Sequence, residues 1–126
     1  MKSATMDRRA LDRSSRPPTI DAVDPGDGAS QVLCDAPVVL RLSAPVDLTS
    51  LSPETVHVQD SGGPLTGWLK VSPDGHVVIW CAARPFRPGA LHFVIARGLR
   101  DARGRIVPSH LSCFVPCDLA RDDLRA

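Results

Sequence analysis

Hydrophobic positions in this chain fall in short runs that alternate with polar ones, and turn residues interrupt them roughly every 8–12 positions. Thr19 to Val23, Val38 to Leu42, Thr55 to Gln59, Gly67 to Val71, His76 to Cys81, Leu91 to Ala96 and Leu111 to Val115 all read this way. Side chains on extended backbone point alternately to opposite faces, so each run predicts a strand with one face turned to a core. The stretches between them include Asp24-Pro25-Gly26-Asp27-Gly28, Asp60-Ser61-Gly62-Gly63, Ser72-Pro73-Asp74-Gly75 and Asp101-Ala102-Arg103-Gly104. There proline fixes φ, glycine supplies positive φ and carboxylates accept free backbone N–H groups, so each predicts a turn, and Ser72 to Gly75 a hairpin. Leu48 to Ser52 predicts one helical turn, and Asp118 to Arg125 a short helix capped by Asp118. Elsewhere twelve prolines and nine glycines interrupt almost every window long enough for a helix. The pattern predicts an all-β sandwich of about seven strands.

Composition narrows this to one domain without a membrane span. A chain of 126 residues closes a two-layer core without help from a metal or cofactor. No apolar run approaches the roughly 20 residues of a membrane helix. Fifteen basic against fourteen acidic residues leave a net charge of +1, which argues against nucleic acid as a partner. Arg8, Arg9, Arg13 and Arg16 crowd the first segment, where large apolar groups are few. Such a segment cannot offset the entropy of ordering by its own burial, so residues 1–16 are expected to be a flexible extension. Residues 17–116 form the expected domain and 117–126 a short tail. The opening residues lack the apolar core of a secretory signal, an expectation that points away from export.

Several motifs carry a family resemblance. Pro17-Pro18-Thr19-Ile20, Asp24-Pro25-Gly26-Asp27-Gly28-Ala29, and Ala36-Pro37-Val38-Val39-Leu40-Arg41-Leu42-Ser43-Ala44-Pro45-Val46-Asp47 resemble the bacterial Ig-like domain of surface-layer and adhesin (SbsA-type) proteins. Leu51-Ser52-Pro53-Glu54-Thr55, Ser72-Pro73-Asp74-Gly75 and Arg87-Pro88-Gly89 sit where that family keeps similar motifs, and Asp101-Ala102-Arg103-Gly104 is similar to its Asp-Leu-Ala-Gly-Asn turn. The resemblance covers residues 17–116 and implies an immunoglobulin-like antiparallel β-sandwich. It also favours a place outside the cytoplasm, in the periplasm or at the cell surface. The chain departs from the family in having no tyrosine; His92 stands where the tyrosine early in the sixth strand is expected.

Aligned in this way, Val38, Leu40, Leu42, Val56, Val58, Val78, Trp80, Val94, Ala96 and Phe114 are expected to point inward. Leu91, Phe93, Ile95, Leu111, Cys113 and Val115 then fall on the opposite face of the last two strands. A sheet with one solvated face alternates apolar with polar, but these strands are apolar on both sides. Their pairing would make one contiguous patch, the mark of an interface. Leu91, Phe93, Ile95, Leu111 and Val115 are therefore the candidate partner-binding residues. The expected function is a non-catalytic structural or accessory subunit docked onto a larger protein complex, one associated with the cell surface or peripherally with a membrane. Burial of the same face against a second copy is equally open. The alternative is an adhesive or carbohydrate-binding module that uses loops Asp60 to Pro64 and Asp101 to Arg105, with Trp68 as an aromatic platform.

Candidate chemistry is sparse. His57, His76, His92 and His110 lie in strand-like segments without a nucleophile motif, so no catalytic residue is assigned. His92 and His110 are candidates to neighbour each other across the last two strands. Among Cys34, Cys81, Cys113 and Cys117, antiparallel second and fifth strands would bring Cys34 near Cys81 for a disulfide. Cys113 and Cys117 are spaced for a bridge or for two metal ligands, and unbridged thiols are the remaining reading. One such pair is half of a zinc motif, so neither a metal nor a cofactor is expected.

Overall fold

A computed structural model describes residues 16–117. The helix expected over Asp118 to Arg125 and most of the Arg-rich first segment lie outside the described residues. Nine strands run in chain order: β1 (Ile20–Asp24), β2 (Ala29–Val32), β3 (Val38–Leu42), β4 (Val56–Asp60), β5 (Gly63–Pro64), β6 (Gly67–Val71), β7 (Val77–Ala82), β8 (His92–Ala96) and β9 (His110–Pro116). They form a sandwich of a four-stranded sheet, β1-β3-β7-β6, and a five-stranded sheet, β2-β9-β8-β4-β5.

All seven expected strands are present. The two additions are short: β5 pairs Gln59 with Pro64 and Asp60 with Gly63, and β2 pairs in parallel, against β9. In β2 the alternation fails because Gln31 takes a left-handed φ of 59°, which shifts the register between Ala29 and Val32. The Asp24 to Gly28 turn carries the chain from one sheet to the other. Leu48–Ser50 is a 3₁₀ turn whose preceding Asp47 side chain accepts the Thr49 N–H.

The ten residues expected inside are all buried, none more than 4% exposed. Loops add four more core residues, Val46, Phe86, Leu99 and Val107. Phe86, on the crossing from β7 to β8, stacks on Trp80 at 6.1 Å between ring centroids and meets Phe114 edge-on at 5.2 Å. Offset and edge-on contacts of this kind add to the burial of apolar area itself. Gly67 is required beside this cluster, because a Cβ there would lie 2.5 Å from both the Trp80 ring and the Cys81 carbonyl oxygen.

The Asp101 turn closes the opposite end. Asp101 is buried, and its Oδ1 accepts the backbone N–H groups of Arg103 at 3.1 Å and Arg105 at 2.8 Å. Its Oδ2 accepts the Arg105 guanidinium at 2.8 and 2.7 Å. Gly104, at φ 82°, returns its N–H to the Asp101 carbonyl at 2.8 Å. Arg105 also donates to the Arg16 carbonyl at 2.7 Å, which ties down the start of the described chain. Burial alone would raise the Asp101 carboxyl, but the Arg105 N–H, its guanidinium and the Arg103 N–H outweigh it and hold the group below its ordinary range.

A carboxyl depressed by folding stabilises the fold above its unfolded pKa, and that contribution is lost as pH falls through the folded value. Asp101→Asn should therefore cost about 2–3 kcal/mol at neutral pH. It should also flatten the loss of stability below about pH 4. Urea unfolding of both proteins across that pH range measures the two effects.

Candidate functional site

Strands β4, β8 and β9 lie side by side, and their register sorts the outward side chains into rungs. His57 is opposite Ile95, which is opposite Leu111; Gln59 is opposite Phe93, which is opposite Cys113. Val115 continues the β9 row, and Leu91 stands just before β8 on the same parity. The other parity, including Val56, Val58, Val94, Ala96 and Phe114, is buried in the core. The structure thus brings Leu91, Phe93, Ile95, Leu111, Cys113 and Val115 onto one side of the five-stranded sheet.

Leu111 is 68% and Leu91 47% exposed, while Phe93, Ile95, Cys113 and Val115 are half-buried. None of the positions in these rungs is an Asp, Glu, Lys or Arg. Beside Leu111, a depression of about 250 Å³ is lined by Ile95, Arg97, Ser109 and His110. The backbone at this edge is already engaged: the Cys113 N–H donates to Asp27 Oδ1 at 3.0 Å, and the Gly28 N–H donates to the Cys113 carbonyl at 2.8 Å. An added strand would therefore find no open backbone group at Cys113.

A second apolar strip surrounds Trp68, the aromatic platform of the alternative reading. On the outer face of the other sheet, Trp68 is opposite Cys81, and Lys70, Ile79 and Val39 share a rung. Central strands β3 and β7 are apolar on both faces too, but Lys70 and Arg41 stand among these residues, where their long stems can cover apolar surface. Trp68 is 51% exposed and lines a groove of about 400 Å³ with Leu51, Pro53, Leu65 and Leu69. Loops Asp60 to Pro64 and Asp101 to Arg105 fall at opposite ends of the sandwich. The first is joined to Arg87, before β8, by a 3.2 Å ion pair; the second packs near Pro45, beyond β3, whose carbonyl accepts the Ala102 N–H.

The histidines are separate. His92 pairs with Phe114 and His110 with Ala96, so the two stand at opposite ends of the β8–β9 ladder rather than adjacent. His92 Nδ1 lies 2.8 Å from the Ala90 carbonyl, and its ring stacks on Phe114 at 5.4 Å. Among the described residues His92 Nε2 has no hydrogen-bond partner. His57 Nε2 contacts Gln59 Oε1 at 3.4 Å.

No Cys34–Cys81 bridge is present. Strand alternation sends Cys81 to the outer face opposite Trp68, whereas Cys34 packs against the core and donates its thiol to the Cys117 carbonyl at 3.0 Å. Cys81 and Cys113 are free thiols. Among the described residues no three His, Cys, Asp or Glu side chains converge as metal ligands.

No protein-family model matches the chain, and no characterised protein matches it by sequence. Solved structures do share the fold. The N-terminal part of the bacterial S-layer protein SbsC superposes with a TM-score of 0.68 at 18% identity, over 92% of this chain and 27% of that one. PcoC, a methionine-rich copper resistance protein from Escherichia coli, gives 0.65 at 12% identity, over 80% and 99%. An L,D-transpeptidase from Mycobacterium smegmatis gives 0.56 at 17% identity, over 81% and 41%. The same sandwich thus occurs as one part of a long chain and as nearly the whole of a short one.

The two tryptophans offer a check on this geometry. Trp80 is 2% exposed and Trp68 half-exposed, so acrylamide should quench one part of the emission readily and leave a blue-shifted part protected. Trp68→Phe should remove the quenchable part alone; uniform quenching in both proteins would mean that Trp68 is covered.

Proposed function

We propose that this chain is a non-catalytic accessory module that works outside the cytoplasm, in the periplasm or at the cell surface, and docks onto a larger protein assembly. Its docking surface is the outer face of β4, β8 and β9, with Leu91, Phe93, Ile95, Leu111 and Val115 as the contact residues. The observation that carries this reading is the apolar outer face itself, which puts two large leucines, Leu91 and Leu111, into solvent, the second beside a depression whose rim Arg97 shares. Contiguous apolar surface of this kind is rare on monomers unless something covers it. Interfaces draw their energy from a few central apolar anchors, a role that Leu111 and Phe93 fit. Kinship with the surface-layer and adhesin Ig-like family is part of the proposal; it draws support from the shared fold and the motifs of residues 17–116. The likeness to part of a transpeptidase carries no activity across, because activity lies in a site and not in a sandwich.

A second reading has one specific observation in its favour, the exposed Trp68 beside its groove. An indole platform of this kind suits the apolar face of a sugar ring, as in an adhesive or carbohydrate-binding module. Affinity electrophoresis through polysaccharide gels separates the two readings: retardation lost in Trp68→Ala would favour it, and unretarded migration would count against it.

Leu111→Lys with Leu91→Glu is the direct probe of docking, since these exposed positions accept charge at a cost of about 1 kcal/mol or less. The tagged variant should keep its cooperative melt but lose the stoichiometric companions that co-purify with the unaltered protein from its native cells. Companions retained by the variant would remove this face from the account.

A further inference from the structure

We propose that Cys34 and Cys117 are a disulfide pair, a covalent staple between the end of β2 and the end of β9. The proposal stands apart from the docking reading. Cys34 Sγ lies 3.0 Å from the Cys117 carbonyl oxygen across 83 positions of sequence. Backbone hydrogen bonds hold both partners in place: the Cys117 N–H donates to the Val32 carbonyl at 2.8 Å, and the Cys34 carbonyl accepts the Phe86 N–H at 2.7 Å.

Direction and distance exclude Cys81–Cys113 and Cys113–Cys117. Cys81 faces out from the four-stranded sheet, opposite Trp68, and Cys113 faces out from the five-stranded sheet, opposite Phe93. The two sheets of a sandwich stand about 10 Å apart with a core between them, so these two thiols cannot meet. Cys113 and Cys117 are four positions apart on extended chain, roughly 13 Å, well beyond the Cα separation a disulfide spans. Closing the Cys34–Cys117 bridge gives up one thiol-to-carbonyl hydrogen bond and needs rotation at Cys117. That residue lies one position past the end of β9, so strand pairing does not fix its side chain.

The chemistry is thiol–disulfide exchange with a small disulfide oxidant. The Cys34 thiolate attacks one oxidant sulfur and expels the other as a thiolate. The Cys117 thiolate then attacks the Cys34 sulfur of the mixed disulfide and expels the second. Two protein thiols become one S–S bond, their two protons pass to the two expelled thiolates, and the oxidant is thereby reduced to two thiols. The bridge acts where the sheet is weakest, since β2 is a four-residue edge strand, kinked at Gln31 and paired in parallel. It closes most of the domain into a single loop, which restricts the unfolded chain far more than the folded one.

The test uses the full reduced chain equilibrated with glutathione disulfide, followed by thiol titration, non-reducing peptide mapping and thermal melting. Two of the four thiols should disappear, a peptide linking Cys34 to Cys117 should be found, and the melting temperature should rise by on the order of 10 °C. Cys81→Ser with Cys113→Ser should leave all three results intact, whereas Cys34→Ser and Cys117→Ser should each abolish them. Four titratable thiols after oxidation, glutathione adducts at both sites without a bridge, or a link involving Cys81 or Cys113 would each overturn the proposal.

Discussion

The stack of Phe86 on Trp80, with Phe114 and His92 in edge-on contact with Phe86, is the contact on which the rest of the fold depends. Trp80 belongs to the four-stranded sheet; His92 and Phe114 belong to the five-stranded one. Phe86 comes from the crossing between them. The aromatic cluster therefore fixes how the two sheets face each other at this end, and with it which side of β8 and β9 is inward. Because strand parity is strict, seating His92, Val94 and Phe114 inside obliges Phe93, Ile95 and Cys113 to face out. The apolar outer face is a direct consequence of how the core is closed.

The seven longer strands and the inward set were legible because they rest on period-two alternation and on turns such as Ser72 to Gly75, both written locally. Two features were not. Strand β2 breaks alternation at Gln31, and its partner is more than eighty residues away, so nothing near Ala29–Val32 announces it. Phe86 and Leu99 sit in loops, where no periodicity assigns a side; their burial is decided by the space left between the sheets. The cysteines illustrate the same limit. An antiparallel pairing of β3 with β7 did bring the neighbourhoods of Cys34 and Cys81 together, but the direction of Cys81 follows from Trp80 being inward. The contact of Cys34 with Cys117 depends on the unforeseen β2–β9 pairing.

The candidate surface was only partly legible for a related reason. Apolarity on both faces of a strand shows in sequence, and it marked β8 and β9, yet β3 and β7 carry it as well. What separates the two sheets is the company on each rung. Lys70 and Arg41 stand beside Ile79, Val39 and Val77, whereas His57 and Gln59 are the polar neighbours of Ile95 and Phe93. Those neighbours are visible only once the register is known. The edge contacts of Asp27 and Gly28 with Cys113 add that the backbone there is already engaged and closed to an added strand.

Radical footprinting of side chains, on the purified chain and on the chain in its native cells, tests the central claim most directly. Labelling of Leu91, Phe93 and Leu111 should fall several-fold in cells while labelling of Trp68 stays level. Equal labelling of the leucines in both settings, or protection confined to Trp68, would contradict it.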